Sequence, residues 1–314
     1  GYLLGWLLLL NLFAAHFRYY QPGKKKLGIL LIHLGVVLLL LGQLLTDVFS
    51  TESMMHLRNG ETKNYSEASR QFELAIVDTS DAATDKVIAI AGPRLAEGGD
   101  LAHSELPFRV RVTRYLPNSA LTDKPVAGYQ PAQATAGIGT AIWWRGLPLE
   151  TNPDKRDMPS ALVELLTPEG SLGTYLVSGY LVRPQSLAYQ NRSYQLALRP
   201  RRYYKPFSIH LLEFTHDRYP GTEIPKNFSS RVRLQRPATG EDREVLIYMN
   251  NPLRYNGETY YQASFDRDDQ GTVLQVVRNP SWLTPYFSCV MVGVGLLVQF
   301  GSHLAGFAAA RKKR

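Results

Sequence analysis

Three long segments without charged side chains constrain the fold of this 314-residue chain more than any other feature. Residues 1–17, 27–46 and 279–310 contain no Asp, Glu, Lys or Arg. A hydrocarbon core about 30 Å thick needs about 20 predominantly apolar helical residues, and each segment approaches or exceeds that length. The sequence therefore predicts three transmembrane helices, with a large polar region between the second and the third.

The positive charge of the chain is concentrated beside these segments. There are 35 basic and 27 acidic residues, which give a formal net charge of +8. Eight basic residues flank the predicted spans, namely Arg18, Lys24, Lys25, Lys26, Arg311, Lys312, Lys313 and Arg314. Because cytoplasmic flanks carry the excess of Lys and Arg, these flanks are predicted to be cytoplasmic and the polar region extracytoplasmic. The polar region itself is almost neutral, so nucleic-acid binding has no support.

This topology divides the chain into six parts. They are a transmembrane helix at 1–17, a basic cytoplasmic hairpin at 18–26, a second transmembrane helix at 27–47, an extracytoplasmic β-rich domain at 48–282, a third transmembrane helix at 283–308 and a basic cytoplasmic tail at 309–314. The chain starts without Met at the predicted outer edge of a span, which favours one more transmembrane helix upstream over a cleaved signal peptide. The protein is expected to be a multi-pass protein of the cytoplasmic (inner) membrane.

The polar region has the pattern of short strands. Phe108, Val110 and Val112 alternate with polar residues, as expected for a strand with one buried face. Asn256–Gly257 is the Asn-Gly pair that a type I′ hairpin turn favours. Regular short strands separated by Gly and Pro predict an all-β domain of β-sandwich type, with the Pro-, Gly- and Ala-rich residues 117–160 as an insertion.

A histidine, His33, lies within the second apolar segment. A polar group in the bilayer is costly, and a neutral imidazole is a good ligand for heme iron, so His33 is a candidate functional residue. Gly28, Gly35 and Gly42 recur every seven residues and form a stripe on which a neighbouring helix can pack closely. At 100° per residue, His33 points roughly 140° to 160° away from that stripe. The alternative is a structural His33 that only hydrogen-bonds to a neighbouring helix.

The remaining ionisable residues predict no catalytic constellation. His16 and His303 lie near the predicted cytoplasmic ends of spans and are expected to have no ligand role. Cys289 is the only cysteine, so the chain has no CxxC or CxxCH motif and is neither a dithiol oxidoreductase nor a covalent c-type cytochrome. The acidic run at 266–269 lacks the glycine and the terminal glutamate of a calcium loop and is predicted to be a solvated turn.

Six segments, in order along nearly the whole chain, carry a family resemblance. They are HLGVVLLLLGQLLT, MHLRNGE, LPFRVRV, FTHDRYPGTEIPKNFSSRVRL, VLIYMNNPLRYNGETYYQASF and VLQVVRNPSWLTPYFSCVMVGVGLL. Together they resemble the ResB (CcsB) family of System II cytochrome c biogenesis proteins. The most specific positions are Tyr219, Pro220, Gly221 and Thr222 and, further along, Met249, Asn250, Pro252 and Leu253. Both groups are predicted to shape loops that contact a partner or apocytochrome.

The resemblance implies a function in heme delivery. Family members work with a ResC (CcsA)-like membrane protein that carries a tryptophan-rich heme-handling motif, which is absent here. By resemblance, His33 corresponds to the family's transmembrane heme-ligand histidine, an axial ligand of non-covalent heme b paired with a histidine of the partner. The further expected partners are apocytochrome c, thiol-reducing proteins and the lipid bilayer. The chain would then be a subunit of a holocytochrome c synthase (heme lyase) with most reactive groups on the partner chain.

A non-catalytic role is the alternative function. The β-rich domain would then recruit apocytochrome as an assembly or chaperone module, while the partner alone handles heme. A third interpretation is a membrane-anchored binding protein of an unrelated complex. The first two hypotheses differ at His33, which only heme binding requires as a ligand.

Overall fold

A computed structural model of the protein describes residues 2–19, 26–82, 84–152, 155–222 and 225–312. The chain divides into two compact units. The helix unit comprises Gly1–Glu52, Ile247–Gln262 and Gln275–Arg314, and the β unit comprises Ser53–Leu246 and Ala263–Leu274. Four of the predicted flanking charges, Lys24, Lys25, Lys313 and Arg314, lie outside the described residues.

The described residues contain four α-helices. They are α1 (Tyr2–Tyr19), α2 (Leu27–Phe49), α3 (Gly92–Ala96) and α4 (Thr284–Lys312). By length and composition, Leu27–Phe49 and Thr284–Arg311 can each cross a membrane, in agreement with the second and third predicted spans. The apolar stretch of α1, Leu3–His16, is shorter than a typical span, so the first transmembrane helix stays a prediction.

Helices α2 and α4 pack against each other through the predicted glycine stripe. Gly28, Gly35 and Gly42 are the buried residues of α2. A Cβ atom added to Gly28 would lie 2.8 Å from the carbonyl oxygen of Gly295, and one added to Gly42 would lie 2.6 Å from Cγ2 of Thr284. The missing side chains therefore allow the close contact that drives helix association in lipid. The prediction that the stripe faces a neighbouring helix is confirmed.

Seventeen strands occur in the described residues. In chain order they are β1 (Thr51–Arg58), β2 (Thr62–Asp78), β3 (Lys86–Ala91), β4 (Gly99–Leu101), β5 (Arg109–Leu116), β6 (Ser119–Thr122), β7 (Gln130–Pro131), β8 (Trp143–Gly146), β9 (Ser160–Thr167), β10 (Gly170–Ser178), β11 (Gln185–Tyr189), β12 (Arg192–Arg218), β13 (Pro225–Arg236), β14 (Glu241–Tyr248), β15 (Leu253–Tyr255), β16 (Glu258–Phe265) and β17 (Gly271–Arg278). Strands β1, β14, β16 and β17 each have residues in both units.

The strands of the β unit form three sheets. In the largest sheet the order is β14-β13-β12-β2-β1-β17-β16, with β3 paired to β2 and β11 paired to β12. The second sheet has the order β10-β9-β5-β4 and the third has the order β6-β8-β7. The longest strand, β12, pairs antiparallel with β2 on one side and with β13 on the other, so it forms the centre of the largest sheet.

One hydrophobic core joins the first two sheets of the β unit. Leu74 of β2 and Leu196 of β12 contribute to it from the largest sheet. Val110 and Val112 of β5 contribute from the second sheet, together with Phe108 just before β5. Full burial of one such side chain stabilises the fold by roughly 1.5–3 kcal/mol. The predicted alternation in this segment is confirmed, because all three residues are buried. Two sheets that share one core agree with the predicted β-sandwich type.

The predicted Asn-Gly hairpin is also confirmed. Strands β15 and β16 pair antiparallel in the helix unit, with Tyr255 opposite Glu258. The two residues between them, Asn256 and Gly257, have φ angles of 50° and 76°. A type I′ turn requires positive φ at both central residues, and Asn and Gly tolerate that conformation best.

The segment predicted to be an insertion, residues 117–160, contains the small third sheet. Its Trp144 is buried and packs with Leu162 and Leu176 of the second sheet. The third sheet is therefore packed into the β unit through a large aromatic side chain.

Candidate functional site

Two imidazole rings meet where helices α1 and α2 face each other. His33 lies in the second turn of α2 and is half-buried, and His16 lies in the last turn of α1. Their ring centroids are 6.3 Å apart, and the ring planes are nearly perpendicular at 88°. The structure thus brings His16, for which the sequence suggested no ligand role, beside His33. Helix α2 uses its glycine stripe for α4 and a different face for this histidine pair.

The third histidine of the helices, His303, has a partner on its own helix. It lies on the exposed surface of α4, and its Nε2 is 2.7 Å from the side-chain nitrogen of Gln299. The Oε1 atom of Gln299 is buried and has no hydrogen-bond partner among the described residues. The expected absence of a ligand role for His303 stays a prediction.

A cleft of about 340 Å³ lies further along the interface between α1 and α2. Its lining is mostly apolar and includes Trp6, Leu9 and Leu40. At its end the side chain of Gln43 donates a 3.0 Å hydrogen bond to Asp47. Leu9 precedes His16 by seven residues and Leu40 follows His33 by seven, which corresponds to about 10 Å along each helix. The cleft and the histidine pair therefore belong to one interface.

A second groove, here called the aromatic groove, lies in the helix unit between the β15–β16 hairpin and the start of α4. It encloses about 500 Å³, and its lining includes Arg254, Tyr261, Trp282 and Tyr286. The guanidinium carbon of Arg254 lies 5.0 Å from the centroid of the Trp282 ring, which in turn contacts Tyr286 edge to face at 6.2 Å. Two segments of the family resemblance, YMNNPLRYNGETYY and RNPSWLTPYF, therefore form one surface.

The first group of predicted loop-shaping residues forms a turn in the β unit. Tyr219, Pro220 and Gly221 follow the end of β12. The backbone N–H of Thr222 donates a 3.0 Å hydrogen bond to the carbonyl oxygen of Tyr219, and Gly221 has a φ of 76°. The Pro-Gly turn chemistry is as predicted, whereas contact with a partner stays a prediction.

The second group, Met249, Asn250 and Pro252, lies in the helix unit between β14 and β15. Asn250 has a φ of 62°, a conformation that Asn tolerates better than most residues. The backbone N–H of Asn251 donates a 2.9 Å hydrogen bond to the carbonyl oxygen of Tyr248 and closes the turn. The side chain of Met249 is exposed, so this turn presents an apolar group to its surroundings.

The acidic run of the β unit is a turn that pairs with basic side chains. Nε2 of His56 donates to Asp266 at 2.9 Å, and the guanidinium of Arg58 donates to Asp268 at 2.5 Å. The hydrogen bond from Arg58 holds the pKa of Asp268 below its usual range. The predicted solvated turn therefore also joins the MHLRNGE segment to a loop about 210 residues away in sequence.

The same turn encloses His216. The side chain of His216 is only 3% exposed, and its Nδ1 donates to Asp269 at 2.8 Å. Arg218 donates to the other carboxylate oxygen at 2.6 Å. The ring of Phe265 lies 4.2 Å from the imidazole, and Nε2 of His216 has no partner among the described residues. The hydrogen bond from His216 and the charge of Arg218 lower the pKa of Asp269.

Asp269→Asn is expected to lower the stability of the protein at neutral pH and to reduce its sensitivity to acid. The pKa of Asp269 is lower in the folded than in the unfolded protein. Its contribution is therefore complete above the unfolded pKa of about 3.9 and is lost as the pH falls through the folded pKa. Thermal unfolding at pH 7 and at about pH 3 checks this result. Equal losses of stability in wild type and variant between these two conditions would contradict it.

The possible metal-binding side chains of the helices suit heme iron better than a bare metal ion. No group of three or more His, Cys, Asp or Glu side chains that could hold a metal ion occurs among the described residues. A protein-bound zinc ion takes three or four such ligands. Heme iron needs only one or two axial ligands, because the porphyrin supplies the others. The imidazole of His33 can supply one such ligand.

Comparisons with known proteins agree with the resemblance seen in the sequence. Residues 186–273 match the ResB-like family. The chain is 27% identical over 274 residues to Protein NrfI of Wolinella succinogenes, and this alignment covers 85% of the chain. It covers 26% of NrfI, so the chain spans about a quarter of the length of this curated relative.

The described residues contain two helices that are long and apolar enough to cross a membrane, together with a large, mostly β domain. Over residues 186–273 the chain is similar to the ResB-like family. The matched range includes both groups of loop-shaping residues, at 219–222 and 249–252, and it ends before α4. His33 lies outside that range.

Proposed function

We propose that the protein acts in cytochrome c biogenesis by holding heme b in the membrane through His33, beside a ResC (CcsA)-like partner. The observation that carries this proposal is the position of His33. Its half-buried imidazole lies on a span-length helix, on a face not used for packing against α4, and next to a second imidazole.

Heme is the cargo in this function. When bound, it supplies an iron that accepts an axial nitrogen and that can change its oxidation state. An imidazole nitrogen of His33 would donate its lone pair to such an iron. Apolar side chains along the same interface, such as Leu9 and Leu40, keep water away.

The proposed orientation places the β-rich part of the chain outside the cytoplasmic membrane. Helix α2 leads into β1, and β17 leads into α4, so both span-length helices join the β-rich part at one end. Lys26 and Arg311 lie at the opposite ends of these helices. Excess basic residues mark the cytoplasmic side, which supports a multi-pass protein with an extracytoplasmic domain.

The aromatic groove is the proposed contact surface for the partner or for apocytochrome c. It combines the positive charge of Arg254 with the amphipathic rings of Trp282 and Tyr286. Such residues are enriched where proteins meet one another. Reduction of the apocytochrome thiols would fall to separate thiol-reducing proteins, because the chain has a single cysteine, Cys289.

A non-catalytic assembly module is the second candidate function. The aromatic groove favours it. A groove of about 500 Å³ with polar and aromatic lining residues could hold a polypeptide without any heme ligand. In that case the partner alone would carry heme, and His33 would be a structural residue of the helices.

Covalent maturation of a CxxCH reporter cytochrome separates the two candidates. The full chain, a ResC-like partner and the reporter are produced in a host without its own maturation system. His33→Ala is expected to reduce covalent heme on the reporter at least about tenfold, since even groups that only orient a metal ligand affect binding by about 10–100-fold. Imidazole in the medium should restore it. His303→Ala is the control, and undiminished maturation with His33→Ala would favour the assembly module.

A further inference from the structure

We propose that the β unit carries a binding site for an acidic polypeptide segment, formed by two neighbouring clefts that share Arg70. The first cleft encloses about 380 Å³ and is also lined by Arg156. The second encloses about 320 Å³ and is also lined by Arg201. The two are here called the arginine clefts. Every residue that lines them belongs to the β unit, so the site goes beyond the proposed heme function and does not depend on it.

The arginine clefts lie where β2 changes its partner strand. On one side of β2, β1 pairs with it as far as Ala68, and β3 pairs with it from Glu73 onward. On the other side, four residues of β2, 68–71, lie opposite a single residue of β12, Arg201. A bulge of this kind bends the strand and changes the direction of its side chains. The first cleft adjoins β1 and the second adjoins β3, so they lie on either side of the bulge.

Arg156 and Arg201 bring positive charge to the clefts. The guanidinium carbon of Arg156 lies 5.9 Å from the centroid of the Phe72 ring, and that of Arg201 lies 5.4 Å from the centroid of the Tyr203 ring. Contact with an aromatic face orients a guanidinium but leaves its charge and most of its donors in place. Both arginines are exposed, so both can reach a carboxylate outside the protein.

The other arginines of this part of β12 are already paired. Arg199 forms an ion pair with Glu73 at 3.2 Å. Arg202 forms one with Glu67 at 3.0 Å. Arg201, which lies between them, has its contact with an aromatic ring instead. The strand therefore neutralises its neighbouring charges and keeps this one for the second cleft.

The basic residues at the clefts outnumber the acidic ones. Among the described lining residues, the basic side chains are Arg70, Lys155, Arg156 and Arg201, and the acidic ones are Glu67 and Asp157. The charge of Glu67 is neutralised by its ion pair with Arg202. Lys155 follows Asp154, which lies outside the described residues. The described surface therefore complements an anionic ligand.

The form of the site favours an extended polypeptide over a small anion. Nη2 of Arg70 donates a 3.3 Å hydrogen bond to the carbonyl oxygen of Lys155, which holds Arg70 between the two clefts. Each cleft also offers apolar surface, from Met54 in the first and from Leu149 in the second. A single anion would use only one cleft. A chain with spaced acidic side chains places one carboxylate beside each arginine, and guanidinium groups bind carboxylates in a planar, two-bond geometry.

The test measures binding of a short peptide of repeating Glu-Gly-Ser, labelled with an uncharged fluorophore, to the purified full chain in an uncharged detergent. Fluorescence anisotropy gives the Kd, and a peptide with Gln in place of Glu is the matched probe. Wild type should bind the Glu peptide at least about tenfold more tightly, because several exposed charge pairs act together. Its affinity should fall as the salt concentration rises.

Substitutions at the clefts locate the site. Arg156→Gln and Arg201→Gln should each weaken binding of the Glu peptide about threefold, and the double variant about tenfold. Thermal unfolding should stay at the wild-type temperature, since both side chains are exposed. Arg267→Gln is the matched control, because it removes an exposed arginine of the same unit at the turn between β16 and β17. It should leave the Kd unchanged.

Arg201→Glu provides a second, independent readout. Opposite charges across a contact attract and like charges repel, so this variant should bind the Glu peptide more weakly and a Lys-Gly-Ser peptide more tightly than wild type does. General damage to the fold would weaken the first without strengthening the second. Absence of any gain for the Lys peptide would therefore overturn the assignment of Arg201.

Three further results would overturn the proposal. The first is equal binding of the Glu and Gln peptides. The second is an equal loss with Arg267→Gln, which would mean that the peptide responds only to the overall charge of the chain. The third is displacement of the peptide by inorganic phosphate at constant ionic strength, which would indicate a site for small anions. None of these results bears on heme binding by His33.

Discussion

Gly28→Ala is expected to destabilise the packing of α2 against α4 by about 1–3 kcal/mol, the usual cost of overpacking a tight contact. A Cβ atom at this position would lie 2.7 Å from the backbone nitrogen of Gln299 and 2.8 Å from the carbonyl oxygen of Gly295. Because both are backbone atoms, no rotamer change relieves the overlap, and the two helices must separate. Thermal unfolding of the purified full chain in detergent measures the loss.

Gly293→Ala is the matched control for this substitution. It lies on α4, and a Cβ atom there meets nothing within 4 Å. Since Ala is favoured over Gly in a helix by up to about 1 kcal/mol, the control protein should be as stable as wild type or more stable. A Gly28→Ala protein that unfolds at the wild-type temperature would show that the stripe is not a close contact.

His33→Ala is expected to remove most of the heme that wild type carries when it is purified with its partner. Changes at groups that only orient a metal ligand cost about 10–100-fold in affinity, so removal of the ligand itself should lower heme occupancy at least about tenfold. The heme-to-protein ratio measures the effect, with heme determined as its pyridine complex (pyridine hemochrome) in alkaline solution.

A polar residue elsewhere in the helices serves as the control for heme content. His303→Ala removes an imidazole on the exposed surface of α4, where its Nε2 lies 2.7 Å from the side-chain nitrogen of Gln299. Its heme-to-protein ratio should stay close to that of wild type. A His33→Ala protein with undiminished heme would mean that the iron is held by other residues or by the partner alone.

Features set by local sequence could be predicted well. The seven-residue spacing of Gly28, Gly35 and Gly42 determines which face of α2 can approach another helix, and the structure places α4 there. The Asn256–Gly257 pair determines its turn through its tolerance of positive φ. Alternation predicts which side of a strand is buried, because successive side chains point to opposite faces.

Features that depend on distant residues could not be predicted. Arg58 and Asp268 are about 210 residues apart in the sequence. The hydrophobic periodicity of either segment gives no information about a contact between them. The sequence therefore suggested only a solvated turn at 266–269. For the same reason the sequence left open whether Trp144 is a core or a surface aromatic residue, since a composition rich in Pro and Gly does not identify the neighbours of the segment.

The contact between His16 and His33 could have been found from the sequence. Two antiparallel helices joined by a short connection bring together residues that are about equally far from that connection. His16 lies in the last turn of α1 and His33 in the second turn of α2. The placement of both histidines in the cytoplasmic half of the predicted spans agrees with this contact, in which the ring centroids are 6.3 Å apart.

The absorption spectrum of His33→Gly, recorded before and after addition of imidazole, tests the central claim most directly. Glycine leaves space where the ring of His33 stood, so free imidazole can occupy the ligand position without any other change to the protein. The account predicts a variant with little heme or with an altered spectrum, and recovery of the wild-type low-spin spectrum when imidazole is added. A wild-type spectrum without imidazole would contradict it, and so would an altered spectrum that imidazole does not restore.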